Sequence, residues 1–208
     1  MATLDILTLA EAVRAALGVD TGHEDDVARM VTAVSGRIDE LVGPVVNRTV
    51  TEYHDGGSYD IWPRQTPVSA VTTLKHADGA TVTTYTEDVW GSAGNADGFL
   101  VEQSGSYPHD ARIFRRSGSS YVTWLAGHRS IELVYVAGRA ATTAAVAERY
   151  KEVAIECMRR LWDREASAWA RGSDPFVEGG GQSSRFFKVF DYVVAEHLGD
   201  EMKPPGVG

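Results

Sequence analysis

A long amphipathic stretch over residues 144–169 constrains the fold more than any other part of the sequence. With about 100° between successive side chains of a helix, its apolar residues fall in one arc and most of its charged residues lie opposite. The arc covers about half of the circumference, which exceeds the stripe of about 100° that one core needs. We therefore predict that a neighbouring copy of the chain covers part of it. The predicted subunit interface consists of Tyr150, Met158, Trp162 and Trp169.

The composition allows a folded core and argues against one class of function. The chain has 208 residues, of which 43% are hydrophobic, so it suits one domain or one domain with an insertion. Its formal net charge of −9 argues against a protein that wraps nucleic acid, because phosphate neutralisation needs a net basic face. Cys157 is the single cysteine, which excludes an intrachain disulfide and a zinc site built on a CxxC motif.

The sequence carries no membrane signal. No apolar run approaches the ~20 residues of a membrane span, and the N-terminus lacks the basic start and long apolar centre of a signal peptide. We therefore expect a soluble protein that is made in a cytoplasm and has no membrane partner.

Two capped helices are predicted before residue 45. Residues 8–11 have the Ser/Thr-x-x-Glu form of a capping box, and a short helix follows that ends at Gly18. Residues 21–24 form a second capping box at the start of a second helix, and this helix is predicted to end at Gly43 and Pro44. The acidic run after His23 complements the positive end of that helix, so we do not interpret it as a metal site.

Between residues 48 and 138 the pattern changes from helical to extended. Segments rich in β-branched and aromatic residues predict strands at 50–53, 59–62, 68–76, 81–85, 98–103, 111–116, 121–125 and 131–136. Glycines and polar turn residues separate them at 55–57, 78–79, 91–98, 104–106 and 127–128. We expect these strands to form an antiparallel sheet or a small barrel.

Strands in the middle and helices at both ends predict an α+β fold. We predict that the N-terminal helices and a long C-terminal helix form a helical bundle, with an inserted antiparallel β region and a C-terminal extension. The predicted divisions are 1–47 for the N-terminal helices, 48–139 for the β region, 140–170 for the long helix and 171–208 for a linker and docking segment.

No catalytic constellation stands out. The sequence lacks G-x-S-x-G, Walker, H-E-x-x-H and G-x-G-x-x-G motifs, and its histidines are scattered, mostly beside turn residues. The carboxylate pairs at 87–88 and 163/165 have no lysine or histidine at a catalytic spacing. We therefore predict no catalytic residue, no cofactor and no metal, and hence no enzyme.

The order of several weak motifs resembles a known family. The motifs are Thr-Leu-Ala-Glu at 8–11, Ile-Asp at 38–39, Val-Gly at 42–43, Trp-Pro at 62–63, Thr-Pro-Val-Ser-Ala-Val at 66–71, Ile-Glu-Leu-Val-Tyr-Val-Ala-Gly at 131–138, and a long helix that closes with Arg-Glu at 164–165. In this order and spacing the chain resembles the head-to-tail connector (adaptor) proteins of tailed bacteriophages over roughly residues 3 to 170.

The resemblance implies a structural role in the virion neck. Such proteins form a ring, usually dodecameric, beneath the portal, extend the DNA channel and present a surface to the next neck or tail component. The implied partners are therefore other copies of the chain, the portal, a stopper and double-stranded DNA that passes without specific binding. Two alternatives stay open, namely another neck or tail ring protein such as a stopper or tail terminator, and a metal-dependent nuclease.

The C-terminal segment differs from the rest of the chain. Residues 171–184 are rich in glycine and serine and predict a linker, and a helix is predicted from residue 185 onward. This helix either folds back on its own domain or docks on the portal with aromatic anchors. The residues predicted to dock on the portal are Phe186, Phe187, Phe190, Val193 and Val194.

Overall fold

The computed structural model describes residues 4–15, 24–89, 91, 93–95, 97–103, 111–169 and 183–202, with backbone alone at 15, 163–169 and 183–189. It divides into two compact units. The helical unit comprises Met1–Val46 and Ala140–Pro205, and the sheet unit comprises Asn47–Arg139. The predicted turn at 104–106, the glycine-rich linker, Gly18 and most of the second capping box lie outside the described residues.

The described part of the helical unit has four α-helices around one apolar core. They are α1 (Leu9–Ala15), α2 (Glu24–Val42), α3 (Glu148–Trp169) and α4 (Ser183–Leu198). Three-residue 3-10 helices precede α3 at Thr143–Ala145 and follow α4 at Gly199–Glu201. Each of the four helices contributes buried side chains to the same cluster, including Ala12, Val34, Met158 and Val194.

The ends of the first two helices form as the sequence predicts. The Glu11 carboxylate accepts hydrogen bonds from the Thr8 backbone N–H and hydroxyl, both at 2.8 Å, and the Glu11 N–H donates to the Thr8 hydroxyl at 3.2 Å. This reciprocal pair is the predicted capping box. At the end of α2, Gly43 has a φ of 83°, a backbone conformation that glycine adopts without steric cost.

In the sheet unit, the described residues form one sheet of eight strands. They are β1 (Arg48–His54), β2 (Asp60–Ile61), β3 (Val68–Asp78), β4 (Thr81–Glu87), β5 (Gly98–Glu102), β6 (Arg112–Ser117), β7 (Ser120–Tyr121) and β8 (Ile131–Ala137). The strand order is β1-β8-β3-β4-β5-β6-β2, and β7 pairs with β6. Strands from both ends of this order supply one buried cluster, for example Ile61 from β2 and Leu133 from β8. The sheet therefore curls around a core of its own.

The predicted fold class is wrong. The largest element is the eight-stranded sheet, and it is mixed, because β4 and β5 run parallel with Thr86 opposite Gly98 and Glu87 opposite Phe99. The long helix also does not close the fold: it begins only at Glu148, after the 3-10 turn, and α4 follows it. A helical bundle with an inserted antiparallel region and a long C-terminal helix therefore does not describe this chain.

The parallel pair has a local cause. The chain between β4 and β5 loops around Asp88, whose Oδ1 accepts the Asn95 backbone N–H at 3.0 Å. Asp88 Oδ2 lies 3.8 Å from Arg116 Nη1 on β6, and both side chains are buried. A Cβ at Gly98 would lie 2.2 Å from Asp88 Oδ2, so only glycine fits where β5 begins. The segment predicted as a turn over residues 91–98 thus connects two parallel strands and not an antiparallel pair.

Candidate interaction surfaces

The predicted subunit interface on α3 lies against the chain's own core. Tyr150 is 4% exposed and Met158 is 1% exposed, and Trp162 is half-buried and packs on the same cluster. The side chain of Trp169 lies outside the described residues. Because the chain itself covers the described part of the apolar arc, the width of that arc does not require a neighbouring copy. The interface assignment of these residues stays a prediction.

The wide apolar arc of α3 packs against α4 in addition to the first two helices. Phe190, Val193 and Val194 are buried in the helical core. Arg37 on α2 donates from Nη2 to both Asp191 carboxylate oxygens, at 2.7 and 3.0 Å, and from Nε to Oδ1 at 3.0 Å. A forked arginine–carboxylate pair of this kind fixes orientation as well as position.

The residues predicted to dock on the portal therefore fall into two groups. Phe190, Val193 and Val194 pack inside the helical unit, whereas the side chains of Phe186 and Phe187 lie outside the described residues. Docking through the first group would require α4 to leave the core. The docking assignment stays a prediction.

A buried carboxylate organises one side of the sheet unit. Glu52 on β1 accepts hydrogen bonds from the Tyr135 hydroxyl at 2.8 Å, from His54 Nε2 at 3.0 Å and from the Arg64 backbone N–H at 3.1 Å. The Tyr135 hydroxyl in turn accepts the Gln65 backbone N–H at 3.0 Å. Two interior side chains thus hold the irregular segment after β2.

These hydrogen bonds keep Glu52 ionised. Burial alone would raise the pKa of the Glu52 carboxyl, but the hydrogen bonds from His54, Tyr135 and Arg64 outweigh it and lower the pKa below the ordinary 4.5. Burial and the neighbouring carboxylate raise the pKa of Tyr135, so its hydroxyl keeps the proton that it donates. At neutral pH Glu52 is therefore a carboxylate that only accepts hydrogen bonds, and the groups around it donate them. The network has a structural role.

The segment that Glu52 holds carries an exposed aromatic side chain. Ile61 and Ile113 are paired and buried, so the next residues, Trp62 and Arg112, point to the outer face. There the Arg112 guanidinium lies 4.1 Å from the Trp62 ring centroid, a cation–π contact. Phe114 and Tyr121 lie beside them with ring centroids 5.4 Å apart. We call Trp62, Arg112, Phe114 and Tyr121 the aromatic patch.

The outer face of β1, β8 and β3 has a different character. Leu133 and Tyr135 are buried, so the alternate residues of β8 point outward, and the strand registers align them with exposed or half-buried neighbours. One row is Thr51, Val134 and Thr73, and the next is Thr49, Val136 and Ala70. We call these six residues the threonine–valine face.

Neither surface is predicted from the sequence. The strands themselves are predicted, but the aromatic patch joins residues from β2, β6 and β7 that only the pairing brings together. The strand alternation around Ile61 and Ile113 is the one sequence signal that could have placed Trp62 and Arg112 outside the core.

Metal and membrane sites are absent from the described part of the chain. No group of three or more histidine, cysteine or acidic side chains there could hold a metal ion. No helix among the same residues is both long enough and apolar enough to span a bilayer. Cys157 is 1% exposed, and burial raises the pKa of its thiol to about 12.

The fold has counterparts among solved structures. A chain from the neck of an empty GTA (gene transfer agent) particle, computed with C6 symmetry, aligns with a TM-score of 0.50 and 17% identity over 78% of this chain and 82% of that one. A chain from the neck of a native GTA particle, computed with C12 symmetry, aligns with a TM-score of 0.45 and 14% identity over 91% of this chain and 94% of that one. No family model and no curated protein matches the sequence. The chain therefore shares its fold with a chain from the neck of the empty phage-like particle.

Proposed function

We propose that this chain is a structural subunit of the neck of a phage-like particle, located between the capsid and the tail. The observation that carries the proposal is the fold shared with a chain from the neck of an empty GTA particle. The resemblance in motif order to head-to-tail connectors supports the same location independently of the coordinates. In its finer form, the proposal is that of an adaptor made in the bacterial cytoplasm that joins the portal to the next neck or tail component.

The proposed assembly is a ring of identical copies, with twelve as the expected number. The neck of the empty particle was computed with C6 symmetry, and twelve copies around one axis are compatible with a sixfold arrangement. Each copy in such a ring contacts its two neighbours through two different surfaces, because the interfaces are head-to-tail.

The proposed central channel carries DNA that slides without specific binding. The net charge of −9 suits this role, because an acidic wall repels phosphate groups and offers no lasting contact.

The proposed contact with the portal involves α4. Because Phe190, Val193 and Val194 are buried in the helical core, we place the first contact at Phe186 and Phe187, the fourth and fifth residues of α4. Aromatic anchors of this kind carry most of the energy in a helix-in-groove contact.

The location is tested by removing the chain from assembling particles. We expect capsids that package DNA but lack attached tails, and density for a ring under the portal that disappears with the chain. Tailed, infectious or transfer-competent particles assembled without this chain would refute the neck role.

The portal contact is tested separately by co-sedimentation with purified portal rings. Changing Phe186 and Phe187 together to serine is expected to abolish co-sedimentation, whereas Tyr192→Ala on the exposed side of the same helix serves as the control. Undiminished co-sedimentation of the double variant would remove the contact from the proposal and leave the neck role in place.

A further inference from the structure

Three aspartate–glycine pairs lie in the sheet unit, and the fold treats them differently. They are Asp55–Gly56 after β1, Asp78–Gly79 between β3 and β4, and Asp97–Gly98 at the start of β5. In sequence the three pairs are equivalent, because each aspartate precedes a residue that has no Cβ to hinder reactions at its backbone nitrogen. Only their surroundings in the folded chain distinguish them.

An aspartate–glycine pair rearranges with water as the only reagent. The glycine nitrogen attacks the side-chain carbonyl carbon of the aspartate, a C–N bond forms, and the proton of that nitrogen leaves with the carboxyl hydroxyl as water. Hydrolysis of the resulting succinimide takes up water again and gives aspartate or isoaspartate, in which the main chain runs through the former side chain. The attack requires rotation of the main chain at the aspartate, so it is fastest where local opening is easiest.

The Asp55–Gly56 pair is held by the loop between β7 and β8. Asp55 Oδ1 accepts the Arg129 backbone N–H at 2.6 Å and lies 3.0 Å from His128 Nδ1, and the Gly56 N–H donates to the Gly127 carbonyl at 2.8 Å. The hydrogen bond from Arg129 and the neighbouring His128 lower the pKa of the Asp55 carboxyl. The protonated carboxyl, from which the hydroxyl leaves, is therefore scarce at this position.

The Asp97–Gly98 pair is held by strands on both sides. Gly98 is buried and pairs with Thr86 on β4 and with Arg116 on β6. The Asp97 carbonyl also accepts the Thr86 N–H at 3.1 Å. Rotation of the main chain here would separate the first residue of β5 from both neighbouring strands.

The Asp78–Gly79 pair lacks restraints of either kind. Asp78 and Thr81 are the last paired residues of β3 and β4, so Gly79 and Ala80 form a two-residue turn, and all four residues are exposed. A Cβ built at Gly79 would meet nothing within 4 Å. Within the described part of the chain, neither the Asp78 carboxylate nor the Gly79 N–H has a hydrogen-bond partner. Opening of this turn therefore uncovers no buried side chain.

We propose that Asp78 is a modification site, at which the folded chain forms isoaspartate ahead of Asp55 and Asp97. The rearrangement frees the main-chain carboxyl group of Asp78. This carboxyl is the acceptor for carboxyl methyltransferases that use S-adenosylmethionine and act on isoaspartate, and its position in an exposed turn leaves it accessible in the folded protein. The proposal does not depend on the neck role.

The test follows heavy oxygen into the full-length chain. The protein is stored at neutral pH in heavy-oxygen water, which labels every residue that passes through the succinimide. Samples taken over several weeks are digested in ordinary water with chymotrypsin, which cuts at Tyr85 between Asp78 and Asp97, and the peptides are measured by mass spectrometry. Label at Asp78 is expected to accumulate about tenfold faster than label at Asp55 or Asp97.

Two controls separate the fold from the chemistry of the pair. Asp78→Glu keeps the charge but requires a larger ring, so its peptide should stay unlabelled while the thermal midpoint remains that of wild type. In guanidinium chloride the three pairs should take up label at similar rates, because only the fold distinguishes them. A purified isoaspartyl methyltransferase with labelled S-adenosylmethionine should transfer methyl groups to stored wild type and not to stored Asp78→Glu protein.

Three results would overturn the proposal. They are equal labelling of the three pairs in the folded chain, faster labelling at Asp55 or Asp97 than at Asp78, and stored wild type that accepts no more methyl label than the Asp78→Glu variant.

Discussion

The helical unit and the sheet unit differ in what their described residues expose. In the helical unit, α4 packs Phe190, Val193 and Val194 into the core, and Leu4 and Tyr192 are the exposed large apolar side chains among the described residues. The described part of the sheet unit exposes aromatic rings, including those of Tyr53, Trp62 and Tyr121. A packed helical core supplies stability, whereas ordered aromatic residues on a surface are of the kind that bind other molecules.

The largest effect is expected in the helical core. Phe190→Ala removes a side chain that is 4% exposed, and we expect a loss of about 4 kcal/mol in the free energy of unfolding. Urea denaturation followed by far-UV circular dichroism measures it. The matched control is Tyr192→Ala, 64% exposed on the same helix, for which we expect a change within about 0.5 kcal/mol. Equal losses in the two variants would mean that α4 is not part of this core.

A smaller loss is expected when the buried carboxylate of the sheet unit is neutralised. Glu52→Gln replaces one acceptor oxygen with an amide N–H₂ that faces other donors, and we expect a loss of about 2 kcal/mol in the free energy of unfolding. Glu132→Gln is the control on the neighbouring strand, because its partner Lys75 is 41% exposed and such pairs contribute at most about 1 kcal/mol. A Glu52→Gln protein as stable as the control would show that the network does not stabilise the sheet unit.

The helical unit should show a specific acid sensitivity at Glu11. Partial burial alone would raise the pKa of this carboxyl, but hydrogen bonds from Lys151 and Thr8 outweigh it and lower the pKa from 4.5 to about 2. A carboxyl whose pKa is lowered by folding stabilises the folded state above its ordinary pKa, and this stabilisation disappears as the pH falls through the folded value.

Glu11→Gln is therefore expected to cost about 1 kcal/mol at neutral pH, where the capping box and the Lys151 ion pair are both intact. The difference from wild type should shrink as the pH falls from 4.5 to about 2. Urea unfolding at a series of pH values measures it, with Glu148→Gln, 82% exposed beside the same lysine, as the control. A difference that stays constant with pH would contradict the assignment.

The smallest effect is expected at Cys157. Because the thiol is buried and its pKa is raised to about 12, a thiol reagent at mildly alkaline pH should leave the native protein unmodified. Mass spectrometry after treatment should find one modified cysteine only when the protein is unfolded first. Rapid labelling of the native protein would mean that the core of the helical unit opens readily.

Local features of the fold follow from the sequence, and long-range ones do not. The end of α2 before Gly43 and the positions of seven of the eight described strands were predicted, because periodicity and turn residues report on neighbouring positions. The strand predicted at 121–125 is wrong beyond Tyr121, since β7 covers only Ser120–Tyr121. The pairing of β1 with β8 joins residues that are far apart in sequence, and the parallel pairing of β4 with β5 depends on a loop around Asp88. Periodicity carries no information on either.

The candidate surfaces also depend on long-range contacts that the sequence pattern does not reveal. The apolar arc of α3 was predicted correctly as wide, but its width alone does not identify the surface that covers it, and α4 covers it within the chain. The aromatic patch was not predicted, because strand pairing and not sequence proximity places Trp62 beside Arg112.

The pairing of Arg37 with Asp191 has a consequence for synthesis. The core that α1 and α2 begin is completed by a helix near the end of the chain, after the whole sheet unit has left the ribosome. Chains that stop early lack this helix and keep an apolar surface uncovered, which exposes them to chaperones and proteases. The core of the helical unit is therefore complete only once α4 has been synthesised.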